Sequence, residues 1–122
     1  MNKQAIEFVR PGIMMADLNK YARDLLAAGM LKLGLINAVE DVGKYYYHNV
    51  SHFLGLDVHD VGTYLEPVKP GVVLTIEPGC YVEEEGIGIR IEDNVLVTET
   101  GRKNLSAGIL KDIKDIEALM AK

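Results

Sequence analysis

The stretch His48-Asn49-Val50-Ser51-His52-Phe53-Leu54-Gly55-Leu56-Asp57-Val58-His59-Asp60-Val61-Gly62 contains all three histidines of a 122-residue chain. Two segments downstream answer it. Thr75-Ile76-Glu77-Pro78-Gly79 and Gly88-Ile89-Arg90-Ile91-Glu92-Asp93 each present a carboxylate from what reads as a buried strand. A lone ionised carboxylate is costly in such a setting, so Glu77 and Glu92 each require a partner. Imidazoles and carboxylates on a rigid sheet form a donor set for a divalent metal.

Taken singly, these residues also have plainer accounts. Glu92 would pair with Arg90, two residues away on the same face, and Glu77 would be a hydrogen-bonded core acid. His48 would cap or brace a loop. His59 follows His52 by an odd number of residues, so a regular strand sends the two rings to opposite faces unless Gly55 makes a bulge or His59 lies past the strand end. Cys80 falls three residues after Glu77, on the opposite face, and reads as a small buried hydrophobe rather than a thiol ligand.

Composition narrows the classes. The formal net charge is −5 with the basic residues scattered, which leaves no electrostatic footprint for nucleic acid or an anionic membrane. A single cysteine excludes an internal disulfide and fits a reducing compartment. With no N-terminal signal pattern and no long apolar span, a soluble cytoplasmic protein is expected. The length suits one domain over residues 1–122.

Along the chain, Asn2 to Val9 reads as a short helix capped by Asn2 and closed by Arg10-Pro11-Gly12. A longer helix is predicted from about Ala16 to Leu33, with Leu18, Tyr21, Ala22, Leu25, Gly29 and Leu33 on its apolar face and Gly34 as its stop. Leu35 to Gly43 is a connection with a helical turn. Tyr45, Tyr46 and Tyr47 read as packing aromatics with their polar tips in water. Phe53 to Val58 is a predicted strand, and Gly62 to Gly71 a turning loop. In a strand from Val72 to Val82, Val73, Thr75 and Glu77 share one face while Val72, Leu74 and Ile76 share the other. Glu83 to Gly86 is an acidic hairpin tip, and Ile87 to Thr98 the returning strand. Ile113, Ile116 and Met120 mark an amphipathic helix over Lys111 to Lys122. The fold class is α+β, with helices packed on one face of a curved, mostly antiparallel sheet.

The order H-x-x-x-H-x-x-G-x-x-x-H, then T-I-E-P-G, then G-I-G-I-R-I-E-D resembles the catalytic half of the pita-bread metallopeptidases. It is most similar to the Xaa-Pro aminopeptidases, with prolidase-type dipeptidases as the near alternative and a non-catalytic pita-bread binding module as the other. The resemblance runs from about Gln4 to the end of the chain. It implies that His52, Glu77 and Glu92 are metal ligands and that Glu77 also shuttles a proton. It implies further that His59 contacts the substrate and steadies an oxyanion, that His48 is a second substrate-side imidazole, and that Arg90 orients carboxylates or binds substrate.

In the intact family two divalent ions, manganese first and cobalt or zinc as alternatives, share a hydroxide that attacks the peptide bond before proline. That site takes five protein ligands. Two are aspartates on a hairpin preceding the first helix seen here, and residues 1–122 carry no such hairpin. The resemblance therefore implies the C-terminal part of a catalytic domain, inactive alone, acting in the whole enzyme on peptides with proline at the second position. A lone half leaves apolar surface uncovered, so a homodimer is expected.

Overall fold

A computed structural model describes residues 1–121. The apolar arms on either side of the acidic tip form one antiparallel hairpin, and the rest of the chain packs around it. β1 (Val73–Ile76) pairs with β4 (Asp93–Thr98), and β2 (Gly79–Val82) pairs with β3 (Ile87–Arg90). Both ladders keep one register, from Val73 opposite Leu96 and Ile76 opposite Asp93 to Gly79 opposite Arg90 and Val82 opposite Ile87. The two predicted long strands are therefore each split, at Glu77-Pro78 and at Ile91-Glu92. Pro78 contributes directly to the break, because it has no N–H to give to the ladder.

β5 (Gly101–Asn104) extends the sheet in the order β1-β4-β5. Its Gly-Arg-Lys-Asn composition gave no strand signal. The strand Phe53 to Val58 does not form. Residues 50–54 do run along β1, with Glu77, Thr75 and Leu54 donating N–H bonds to Val50, His52 and Val73 carbonyls at 2.8, 3.0 and 3.0 Å. From Gly55 the chain turns away, because the Asp60 carboxylate accepts the Leu56 and Val61 N–H groups at 2.9 and 2.8 Å. An aspartate competing for backbone donors in this way favours a turn over a ladder.

α1 (Asn2–Phe8) and α2 (Met15–Leu33) cover one face of the sheet. Leu74, Ile76, Val95 and Val97 point into that layer with 0% exposure, and each apolar side chain buried so fully contributes about 1.5–3 kcal/mol. Against them lie Ala5, Ile6, Val9, Met15, Leu18 and Ala22. Thr75 and Glu77 lie on the opposite face, as strand alternation requires.

The buried stripe of α2 runs through Leu18, Ala22, Leu26 and Met30, so the predicted Gly29 and Leu33 fall outside it. A strict spacing of four from Ala22 wins over the row through Leu25. Gly34 ends α2 as expected, at φ 72°, with Leu35 N–H bonded back to the Met30 carbonyl at 3.0 Å. A 3₁₀ helix (Val39–Lys44) leads to Tyr45 and Tyr46, which join Leu26, Met30 and Val82 in a second cluster. Tyr46 departs from the expectation of a wet tip. Its hydroxyl is buried without a hydrogen-bond partner among the described residues, and burial, followed by the Glu77 charge, holds its pKa well above the usual phenol range.

α3 (Ile113–Met120) forms within the predicted Lys111 to Lys122, whose last residue lies outside the described residues. It is amphipathic as predicted, but Ile113, Leu119 and Met120 are exposed. No helix among the described residues is long and apolar enough to cross a membrane.

Candidate metal centre

The shared register explains how distant residues meet. One step past Ile76 and Asp93 it sets Glu77 opposite Glu92, at the break between the two ladders. On the other side of β1, His52 lies opposite Thr75, so the imidazole and both carboxylates share the face that the helices do not cover. One donor atom from each of His52, Glu77 and Glu92 lies within 4.8 Å of the others.

His52 Nε2 stands 3.1 Å from Glu77 Oε1. Its other nitrogen, Nδ1, lies 2.9 Å from the Phe53 carbonyl, which can only accept, so Nδ1 carries the hydrogen. In the neutral ring Nε2 then turns a lone pair toward a carboxylate oxygen. A cation seated between that nitrogen and the carboxylate oxygen, a proton or a metal ion, satisfies both. A nitrogen and two hard oxygens form a donor set for a divalent cation rather than for a soft monovalent ion such as Cu⁺, so the residues present fit a divalent metal.

Thr75 ties the pair together. Its hydroxyl donates to Glu77 Oε1 at 3.1 Å and accepts the His52 N–H at 3.0 Å. Glu77 is 8% exposed, as the strand reading required. Glu92 is not. It is exposed, outside any strand, contrary to the expected burial, because the hairpin opens at that step. Nor does Arg90 pair with Glu92 as the plainer account supposed. Arg90 Nη1 lies 3.6 Å from Glu77 Oε2, and its Nε–H donates to the Tyr81 hydroxyl at 2.6 Å.

Tyr81 was missed in the sequence, and it is a hub. His48 Nδ1–H donates to the Asn49 carbonyl at 2.7 Å, leaving Nε2 to accept the Tyr81 O–H at 2.8 Å. A continuous chain therefore runs from Glu77 through Arg90 and Tyr81 to His48. The bond to Tyr81 is also the first cause that raises the Arg90 pKa. The signal for Tyr81 was available, since it has the parity of Glu77 on an alternating arm. Gly79 and Gly88 leave room for its ring. A Cβ on Gly79 would fall on the Tyr81 hydroxyl, and one on Gly88 would come to 3.2 Å from the ring.

With no strand over Phe53 to Val58, His59 lies in the loop that follows the segment running along β1. Asp60 turns the loop back, with its N–H on the Phe53 carbonyl at 3.0 Å, and Gly55 is required there because a Cβ would meet the Asp60 carboxylate. The His59 ring comes to rest 4.2 Å from that of His52, centroid to centroid, and is exposed. A cleft of about 290 Å³ opens over His48, His52, His59, Glu77 and Arg90, walled by Ser51 and Tyr64. Cys80 sits on the far side of its strand in contact with the second cluster, and burial pushes its thiol pKa up.

The sequence model of metallopeptidase family M24 matches residues 1–99. The chain belongs to that family. This M24 chain is 40% identical over 129 residues to the mitochondrial intermediate cleaving peptidase 55 of Arabidopsis thaliana, covering 98% of the chain and 26% of that protein. It is 38% identical over 135 residues to the Xaa-Pro aminopeptidase of Escherichia coli K12, covering 95% and 31%.

Among solved structures, a Bacillus anthracis protein provisionally described as an aminopeptidase P superimposes with a TM-score of 0.95 at 52% identity, over 98% of this chain and 29% of the other. Escherichia coli aminopeptidase P with the inhibitor Pro-Leu gives a TM-score of 0.86 at 37% identity, over 98% and 31%. The α+β arrangement of this M24 chain is thus the one found in aminopeptidase P. The chain spans about a quarter to a third of the length of these relatives.

Proposed function

We propose that the chain is the C-terminal part of the catalytic domain of an Xaa-Pro aminopeptidase, supplying three metal ligands and the substrate-side groups of a peptidase site. The observation that carries this reading is the meeting of His52, Glu77 and Glu92 at one break in the hairpin, within 4.8 Å, beside the His59 ring. His52 Nε2 and the Glu77 and Glu92 carboxylates would hold a divalent ion, manganese first. Such an ion supplies Lewis acidity toward a peptide carbonyl and activates water.

The chain's own residues do the rest. Glu77, held by the Thr75 hydroxyl and Arg90, accepts a proton and passes it to the departing nitrogen. His59 donates to the carbonyl oxygen as charge develops on it. His48, locked by Asn49 and Tyr81, faces the residue after the scissile bond, and proline is the residue proposed there. Two further aspartate ligands for a second ion belong to a hairpin outside residues 1–122. The lone cysteine supports a cytoplasmic location.

Titration calorimetry with Mn²⁺, Co²⁺ and Zn²⁺ tests the ligand set. Wild type is expected to take up metal weakly and His52→Ala to lose that uptake; equal uptake by both removes the assignment. The 122-residue chain alone is expected to leave Xaa-Pro peptides uncleaved, because a site short of two carboxylates binds and activates poorly. Release of the N-terminal residue at the rate of a complete enzyme would show that three ligands suffice.

The isolated chain is also expected to be a two-fold homodimer. Ile87 and Ile89 on β3 and Ile91 just past it, with Ile113 and Met120 on α3, leave apolar surface exposed that self-association would cover. Sedimentation at micromolar concentration decides it, and a stable monomer would mean that this surface needs no cover.

A further inference from the structure

The break in the hairpin leaves one backbone carbonyl without the donor its register assigns to it. Antiparallel neighbours exchange hydrogen bonds at every second pair. Val97 N–H bonds the Val72 carbonyl at 2.8 Å, one step before Val73 opposite Leu96. The bonding pairs are therefore Val72 with Val97, Leu74 with Val95 and Ile76 with Asp93, and the next in line is Pro78 with Ile91. Pro78 has no N–H.

A side chain stands where that N–H is missing. Asn2 Nδ2 donates to the Ile91 carbonyl at 3.1 Å and to the Ile76 carbonyl at 3.2 Å. The sequence pattern makes Asn2 a helix cap, but it opens α1 as its first residue and makes no cap bond. Both of its amide hydrogens go instead to the hairpin, one to each arm. Ile76 and Ile91 are the residues immediately before Glu77 and Glu92. The helix that carries the amide is itself anchored in the core through Ala5 and Ile6, with Val9 just past its end.

We infer that Asn2 is a positioning residue for the metal centre: its amide replaces the N–H that Pro78 lacks and sets the separation of the two arms at the step from which Glu77 and Glu92 project. The inference rests on reading those carboxylates as ligands. Asn2 touches neither of them, and acts through the backbone that carries them. The Glu-Pro pair and Asn2 form one device, in which proline opens the ladder for two carboxylates and an amide from the helix layer keeps the opening at one width.

The test uses the full chain and Zn²⁺ as the probe, measured by competition with a chromophoric chelator. Asn2→Ala and the isosteric but donor-free Asn2→Asp are expected to weaken zinc binding about tenfold or more, and to shift the visible absorption of the Co²⁺-loaded protein. Pro78→Ala returns a backbone N–H to Ile91. In that background Asn2→Ala is expected to cost about threefold or less, because the two changes are coupled.

Equal losses in both backgrounds would overturn the inference, as would unchanged zinc affinity in Asn2→Asp. A readout that needs no metal accompanies these. In the metal-free protein, Asn2→Ala is expected to move the amide signals of Glu77 and Glu92 while those of Val95 and Val97 stay in place. If Glu77 and Glu92 do not move, the inference fails, whether or not Pro78→Ala folds. If wild type takes up no zinc, the ligand reading falls instead, and the amide signals still decide the role of Asn2.

Discussion

Glu77→Gln in the full-length protein is expected to lower cleavage of an Xaa-Pro peptide, the activity proposed for it, by about 10²–10⁴-fold at saturating metal, the range that follows loss of a proton-transfer group. The substitution keeps the shape of the side chain and an acceptor for the Thr75 hydroxyl. Arg90, the ionic partner that remains, has a side chain 46% exposed, so water replaces the lost charge at little cost. The thermal midpoint of the metal-free protein should therefore move little. Steady-state assay beside a thermal melt separates the outcomes. Turnover within tenfold of wild type would remove Glu77 from the chemistry, and a collapsed melt would make it a structural acid.

Gly79→Ala is expected to cost about 10²-fold in kcat/KM, the penalty typical of a displaced active-site group, while leaving metal uptake intact. The new Cβ would occupy the place of the Tyr81 hydroxyl. Arg90 and His48 would then lose the partner they share, although none of His52, Glu77 and Glu92 is touched. Gly88→Ala, with its Cβ 3.2 Å from the same ring, should be milder. Tyr81→Phe removes the hydroxyl without crowding and should reproduce most of the Gly79→Ala loss. Full activity in Tyr81→Phe would mean that the chain from Glu77 to His48 is packing alone.

The hairpin and the face of Glu77 were legible because the arm from Val72 to Val82 alternates cleanly, and alternation fixes faces without any tertiary knowledge. The environment of Glu92 was not legible. Flanked by Ile91, it read as buried, and only the opening of the ladder at Pro78 explains its exposure. His59 could not be placed from its spacing, because its position depends on Asp60 capturing two N–H groups and bending the loop back. β5 escaped notice since nothing in Gly-Arg-Lys-Asn favours a strand. It forms because a tight turn, with Thr98 opposite Gly101, lays it against β4, and such context outweighs β-propensity. The role of Asn2 was hidden for a similar reason, since an asparagine at a helix start reads as a cap and its actual partners lie 74 and 89 residues away.

The shared register of the two ladders has a consequence for where this chain can change length. Glu77 and Glu92 face each other only while the residues from Pro78 to Val82 match those from Ile87 to Ile91 one for one. A single insertion in one arm would move the carboxylate beyond it to the helix-covered face, unless a bulge absorbed the extra residue. Lengthening the tip from Glu83 to Gly86 has no such effect, because both arms would still be counted from the same first pair, Val82 and Ile87. Domain insertions, affinity tags or natural length variation should therefore be tolerated at the tip, some distance from the carboxylates, and rejected anywhere between it and them.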